Sequence, residues 1–323
     1  MKNTKKTGLI LAAAFVLIGA LLFVGVMAAR HWDFTALGAI EKLETTVFDI
    51  DKDFTDISLH TDTEDILFKP SEDGKCRVIF LEPADRKPSA AVRGGTLTVE
   101  AADAAGKWYQ HLSFGSNGSP SVTVLLPRRE YAALSIEEST GEITLPKDFS
   151  FAAIDISAGT GDVTCFASAS GRIRIATDTG DIRVEDLFAG ELVLSVSTGR
   201  IEARSVVCGG NADVTVSTGK TVLTDVSCKS LVSGGSTGDI SMEKVIAEER
   251  ISIERSTGDV KLERCNAAEL LITTDTGDVT GSLLSEKVFL VRSNTGRVDV
   301  PETTSGGKCK ITSDTGNIAI RIA

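Results

Sequence analysis

The dipeptide Thr-Gly returns ten times in the second half of this 323-residue chain, each time 19 or 20 residues after the last. Its glycines are Gly141, Gly161, Gly180, Gly199, Gly219, Gly238, Gly258, Gly277, Gly296 and Gly316. A repeat this regular means one supersecondary unit stacked on copies of itself, not a compact globule. The register inside the unit says which kind. The residues seven and five before each glycine are apolar in nearly every unit, as in Leu134/Ile136, Ile173/Ile175 and Ile251/Ile253. So are those two and four after it, as in Ile143/Leu145, Ile182/Val184 and Val260/Leu262. Polar residues mostly fill the positions between. That is the period-two alternation of a strand with one buried face, and β-branched residues suit it. A further apolar site at plus seven, occupied by Leu187, Val206, Val226, Val245, Cys265 and Leu284, marks a return segment.

Strand, Thr-Gly corner, strand and return, with no helical period, predict an all-β chain built as a parallel β-solenoid (β-helix) of about ten 19–20-residue coils. At ~4.8 Å per coil the stack is about 48 Å long. The coil length is not a multiple of six, which favours a right-handed or irregular solenoid over the left-handed hexapeptide kind. Glycine supplies the positive φ of a sharp corner, and the Ser, Asp or Asn two before it can bond the turn backbone. The threonines stack into a ladder.

The N-terminus is a different object. Lys2, Lys5 and Lys6 precede Gly8–Ala29, 22 residues without a charge. At 1.5 Å per residue that run is about 33 Å as a helix, enough to cross a ~30 Å bilayer core. A cleavable signal peptide is the competing reading; its apolar region is ordinarily shorter, and Val26-Met27-Ala28 is a passable cleavage site. The predicted organisation is a cytoplasmic stub at 1–7, a transmembrane helix at 8–29, a juxtamembrane segment and β cap at 30–133, and solenoid repeats at 134–323. The positive-inside rule keeps the lysines in the cytoplasm and puts the solenoid outside a cell membrane that the chain crosses once. Strand-like runs at Asp56–Lys69, Cys76–Glu82, Thr96–Ala101 and Ser121–Leu126 suit a cap that protects one solenoid end. The chain stops inside the strand Asn317–Ala323, so the other end reads as an exposed edge able to pair copies end to end.

The formal charge is −11. With the stub lysines set aside the rest carries about −14, which excludes nucleic acid and anionic lipid surfaces as partners. Three of the six cysteines, Cys165, Cys265 and Cys309, fall on inward positions and read as small buried hydrophobes. Cys208 and Cys228 sit nine residues past their glycines on adjacent coils, near enough to bond or to remain free.

Two outward columns are candidate surfaces. The residue after each glycine puts Asp239, Asp259 and Asp278 on consecutive coils, a candidate for a cation or a basic partner, with a solvated acidic edge as the plain alternative. The position six before each glycine holds Val193, Val232, Leu271 and Leu290, with Leu271 and Leu290 expected as neighbours. A contiguous apolar stripe there would mark a partner site.

The run Ser121–Tyr131 (Ser-Val-Thr-Val-Leu-Leu-Pro-Arg-Arg-Glu-Tyr), followed by Leu134–Ile143 and the train of Ser-Thr-Gly-Asp-Ile corners, resembles the bacterial cell-envelope family of unknown function known as "putative adhesin". The resemblance spans roughly residues 45–323. It implies a stacked β architecture on a single-pass or anchored envelope protein, in some relatives tied to envelope stress, and it carries no catalytic residues. The expected function is therefore a non-enzymatic binding, adhesin-like or stress-accessory module, without a cofactor, whose partner is an envelope protein or glycan. The alternative is a polysaccharide-active β-helix enzyme. Such chemistry wants paired carboxylates in a groove. The only histidines, His31, His60 and His111, all fall outside the repeats. A threonine-ladder ice-binding face is disfavoured, because the ladder is one residue wide and lies at a corner.

Overall fold

The computed structural model describes residues 43–101 and 119–323. The stub, the apolar run Gly8–Ala29 and the histidines His31 and His111 lie outside the described residues. Everything described is strand, turn or irregular chain, with no helix. None of it includes a helix long and apolar enough to cross a membrane.

The repeats form the parallel β-solenoid that their register predicts. Like positions stack on like: Leu134 on Ile154, Ile154 on Ile173, Ile173 on Leu192 and Leu192 on Ala212. The inward residues at minus seven, minus five, plus two and plus four are buried almost throughout, from Leu134 and Ile143 to Ile318 and Ile320. Burying one such Leu, Ile or Val contributes about 1.5–3 kcal/mol, and the columns repeat that gain coil after coil.

The corner glycines are needed twice over. From Gly161 onward they hold φ between +124° and +157°. In each, an added Cβ would also collide with the carbonyl oxygen of the corner glycine on an adjoining coil, as Gly219 would with Gly199 and Gly277 with Gly258. That carbonyl points into the corner, where several coils give it a buried hydroxyl three residues before the next glycine. Thr177 donates to Gly161 O (3.4 Å), Thr274 to Gly258 O (3.5 Å) and Ser313 to Gly277 O (3.3 Å).

A second corner has no glycine. Asp186, Ser205, Asp225, Lys244 and Arg264, each six residues past its Thr-Gly, all take φ between 52° and 55°. The left-handed region costs a non-glycine residue roughly 1–2 kcal/mol, which the flanking buried strands hold in place.

The N-terminal end carries an extra coil that the Thr-Gly repeat does not announce. β1 is Leu43–Ile50, β2 Asp56–Thr61, β3 Asp65–Pro70, β4 Cys76–Pro83, β5 Ser89–Arg93, β6 Thr96–Glu100 and β7 Ser121–Leu126. β2 lies parallel on the strand Glu130–Thr140, with Leu59 against Ile136, and β3 lies on Ile143–Leu145, with Ile66 against Ile143. The corner between β2 and β3 sets Glu64 beside Gly141. β6 and β7 stack below that coil, and the antiparallel strands β5, β4 and β1 close the end.

The far end departs from sequence order. The strand Glu269–Thr276 of the Gly277 coil pairs with Gly307–Thr315 of the Gly316 coil, which pairs in turn with Lys287–Thr295 of the Gly296 coil. The second arm repeats this: Val279 lies against Ile318, and Val298 against Ile318 from the other side. The last coil of the chain is thus inserted between its two predecessors. Ile318 and Ala319 are therefore interior, not the exposed edge expected of Asn317–Ala323, while Ile320–Ile322 pair on one side among the described residues, and the rest of the open edge belongs to the Gly296 coil. The arm after Gly277 is also out of step. Its plus-four residue is Gly281, a register shift follows, and Leu283 rather than Leu284 takes the inward site opposite Cys265. Leu284 points outward and is exposed.

Candidate functional site

The column after the glycines is a hydrogen-bond ladder. Asp259 N–H donates to Asp239 Oδ1 (3.0 Å), Asp278 N–H to Asp259 Oδ1 (2.8 Å) and Asn317 N–H to Asp278 Oδ1 (2.6 Å). The same bond runs from Glu142 N–H to Asp65 (3.0 Å), from Asp181 N–H to Asp162 (2.7 Å) and from Arg297 N–H to Asn317 (3.0 Å). The three like charges on consecutive coils therefore have a structural reason: one oxygen of each serves the backbone of the coil above. The neighbour of Asp278 is Asn317, not Arg297, because of the inserted coil. No cluster of three or more His, Cys, Asp or Glu among the described residues is arranged to hold a metal ion.

The ladder changes character at Arg200 and Lys220. Arg200 N–H still bonds Asp181 Oδ1 (2.8 Å), but Arg200 and Lys220 carry no acceptor, and the strands there run through the corner in direct pairing. A shallow groove of about 170 Å³ opens beside this break, lined by Asp162, Thr164, Asp181, Ile182, Arg183, Arg200 and Glu202. Its two aspartates are occupied by the ladder, and Arg183 is paired with Glu185.

The structure places the column six before the glycines less compactly than expected. Val193 lies beside Asp213, Val232 beside Ser252, and Leu271 beside Ser252 and Lys310. Lys310 in turn lies beside Leu290. Leu271 and Leu290 are therefore one coil further apart than their order in the chain suggests, and the four apolar residues make no continuous stripe. A second outward column, eight past the glycines, runs Phe188, Val207, Ser227, Ile246 and Asn266, and after the register shift Leu284, seven past Gly277, takes the next place. Phe188 and Val207 are 42 % and 54 % exposed, and Ile246 and Leu284 lie further along the same column. The Phe188 ring reaches across its neighbouring coil towards Gly209. The apolar signal at plus eight was present in the sequence, masked by the inward plus-seven residue beside it.

Two buried polar features were not legible. Glu64, Glu82 and Glu138 are all buried near the corner of the extra coil. Glu64 is ion-paired with Arg86 and accepts the N–H groups of Asp62 (3.1 Å) and Thr63 (3.0 Å). Glu138 accepts Thr140 N–H through Oε1 (3.1 Å); among the described residues its Oε2 and both oxygens of Glu82 have no hydrogen-bond partner. Burial, with the Glu64 charge adding to it, pushes Glu82 up to about 7. Burial pushes Glu138 up to about 8, against the Thr140 hydrogen bond and with help from Glu64, Asp62 and Asp65.

Arg255 is the second. It is 1 % exposed inside the solenoid. Its guanidinium donates to Val216 O (3.1 Å), Gly234 O (2.8 Å) and Thr221 Oγ1 (2.9 Å), with no carboxylate among these acceptors. Desolvation lowers its pKa. Gly235 makes the room, since a Cβ there would overlap the guanidinium. All six cysteines are buried free thiols, including Cys208 and Cys228.

Coils that repeat one backbone solution while varying only their outward side chains define a β-solenoid repeat protein. Models of the Toastrack DUF4097 family match residues 54–220 and 209–323, and the chain belongs to that family. Among proteins of curated function, none matches the sequence. Solved structures with a similar fold include a "putative lipid binding protein" of Parabacteroides distasonis, 15 % identical, with TM-score 0.49 over 87 % of this chain and 97 % of that one. A "putative adhesin" of the same species is 12 % identical, with TM-score 0.47 over 87 % and 97 %. A "putative cell adhesion protein" of Clostridium sporogenes is 11 % identical, with TM-score 0.26 over 87 % and 100 %.

Proposed function

We propose that the chain is a non-enzymatic binding module of the cell envelope, anchored through Gly8–Ala29 with its N-terminus in the cytoplasm and its solenoid outside, and that it holds an envelope protein or glycan on its flank. The observation that carries this reading is the exposed apolar pair Phe188 and Val207, with Ile246 and Leu284 further along the same flank, separated by Ser227 and Asn266. Solvent-exposed apolar side chains gathered on one flank are a docking surface that folding does not require. The spaced column of Val193, Val232, Leu271 and Leu290 offers a second, weaker face. A polysaccharide-active enzyme is less well supported, because Asp162 and Asp181 in the groove each give an oxygen to the ladder.

The test is site-specific photo-crosslinking in intact cells from position 207, with the exposed position 261, in the mostly polar outward column three past the glycines, as reference. One dominant product at 207, lost in Phe188→Asp, supports the flank as a docking face. Equal labelling at both positions overturns it. Cleavage of envelope glycans by the purified protein, abolished by one carboxylate substitution, overturns the non-enzymatic reading. Protection of the solenoid from protease added to intact cells overturns the placement outside.

A further inference from the structure

The insertion of the last coil leaves the Gly296 coil as the open end of the solenoid. Among the described residues its strand Lys287–Thr295 pairs only with Gly307–Thr315, and Val298–Asp299 only with Ile318–Ala319. Thr295 accepts the Gly316 N–H on that paired side (3.0 Å). Backbone groups alternate along a strand, so Val288, Leu290, Arg292 and Asn294 turn their N–H and C=O groups to the open side.

This edge is thinly protected: its exposed charge, Arg292, is turned along its own strand, donating to Asn294 Oδ1 (3.0 Å). Edge strands are commonly blunted by a charged side chain, a proline or a bulge. Lys287 has the right chemistry, but its ammonium is folded away, donating to Asn266 Oδ1 (2.8 Å) and Ser285 Oγ (2.6 Å), and the residue is 3 % exposed. No proline lies in the strand, and its pairing shows no register shift. The end is also apolar. Val288, Leu290 and Val298 are exposed there, and the core residues Phe289, Val291 and Val300 are only partly covered. Its charges balance within 286–302: Lys287, Arg292 and Arg297 against Glu286, Asp299 and Glu302. On a chain of net charge −11, this end can approach a second copy without strong repulsion.

We infer that two copies of this chain join end to end through the Gly296 coil, about a two-fold axis at Leu290. The strand Lys287–Thr295 then pairs antiparallel with itself. The register that brings the outward-turned backbone groups together sets Leu290 opposite Leu290, Phe289 opposite Val291 and Val288 opposite Arg292. Inward positions meet inward positions, so the two cores become continuous. A two-fold contact closes on itself and stops at two copies. The inference concerns the end of the solenoid; it shares Leu290 with the spaced flank column and nothing with the flank of Phe188 and Val207.

The experiment measures the mass of the full chain in mild detergent by light scattering over a hundredfold range of concentration. A dimer that dissociates on dilution is expected. Leu290→Lys places a charge at the axis on a side chain that is already exposed, and should raise the concentration for half-dissociation at least tenfold. Val232→Lys changes a similarly exposed residue of the same outward column in the middle of the stack, and should leave the dimer intact. Circular dichroism of both variants verifies the fold. A protein that is monomeric throughout overturns the inference, as does a dimer that survives Leu290→Lys or dissolves equally in Val232→Lys. Masses that grow beyond two copies overturn the two-fold geometry.

Discussion

Asp259 separates two readings of the acidic column. It lies between Asp239 and Asp278, donates its N–H to the first and accepts the N–H of the second. Two unit charges ~4.8 Å apart in water repel by about 1 kcal/mol, and physiological salt roughly halves that. Removing the Asp259 charge relieves two such terms, about 1 kcal/mol together, whatever replaces it. Asn keeps an acceptor at the ladder position, as Asn317 does for Arg297. Ala leaves the Asp278 N–H to water. The relief is common to both substitutions, so their difference isolates one hydrogen bond, about 1 kcal/mol. Asp259→Asn should equal or slightly exceed the native protein in stability, and Asp259→Ala should fall about 1 kcal/mol below Asp259→Asn. Urea unfolding of the three proteins at 0.15 M and 1 M salt gives the comparison. High salt should close the gap between native and Asn while leaving the gap between Asn and Ala. Asn as damaging as Ala would refute the ladder as the reason for these carboxylates. A rise in native stability with millimolar calcium, absent in Asp259→Asn, would restore the cation site.

The buried carboxyls predict a pH dependence. Glu82 and Glu138 hold their protons longer in the folded chain than in the unfolded one, so their contribution is complete below about pH 4.5. It is lost as pH rises towards about 7 and about 8 respectively, by a few kcal/mol in all. Glu138→Gln should flatten the upper part of that fall, and an unchanged profile would sink the assignment. The two corners of one coil predict opposite signs. Gly238→Ala should cost about 3 kcal/mol or more, from backbone strain and collision with the Gly219 carbonyl, whereas Lys244→Gly should gain about 0.5 kcal/mol in thermal unfolding. Equal effects would contradict the backbone geometry. Gly235→Ala should expel the Arg255 guanidinium and cost about 3 kcal/mol, and in the double variant with Arg255→Met the two losses should fall at least 1 kcal/mol short of their sum. Strict additivity would disprove the coupling.

The repeating coil was legible because its corner demands glycine and its strands demand alternation. Where the chain met the same demand differently, the pattern went silent. Glu64 stands where the other coils have glycine, at the first corner above the cap, so the extra coil carries no Thr-Gly. The second corner was invisible because Asp186, Ser205, Asp225, Lys244 and Arg264 share a conformation but no residue type. The swapped order of the last coils left one trace, the return segment after Gly296. It reads Pro301-Glu-Thr-Thr-Ser-Gly-Gly307, with Thr303 where other coils put an apolar residue. That is a connection that must step back over a coil, not a return that buries its own side chain. Arg255 announced itself only through its neighbours Gly234 and Gly235, because room for a buried guanidinium appears in sequence as missing side chains. The flank columns were partly readable, but which outward residues touch depends on coil order, which period alone does not encode.

The inserted coil gives the end of this chain an unusual place in time as well as in space. In an ordinary solenoid each new coil can settle on the one made before it. Here the Gly296 coil has no surface to settle on until residues 307–323 have been made, because its neighbour is the coil that follows it. Synthesis from the N-terminus therefore leaves Lys287–Asp299 waiting, and the final strand completes two coils in one step. Truncation before Gly307 would take out an interior rung and leave the Gly296 rung without the strand it pairs with.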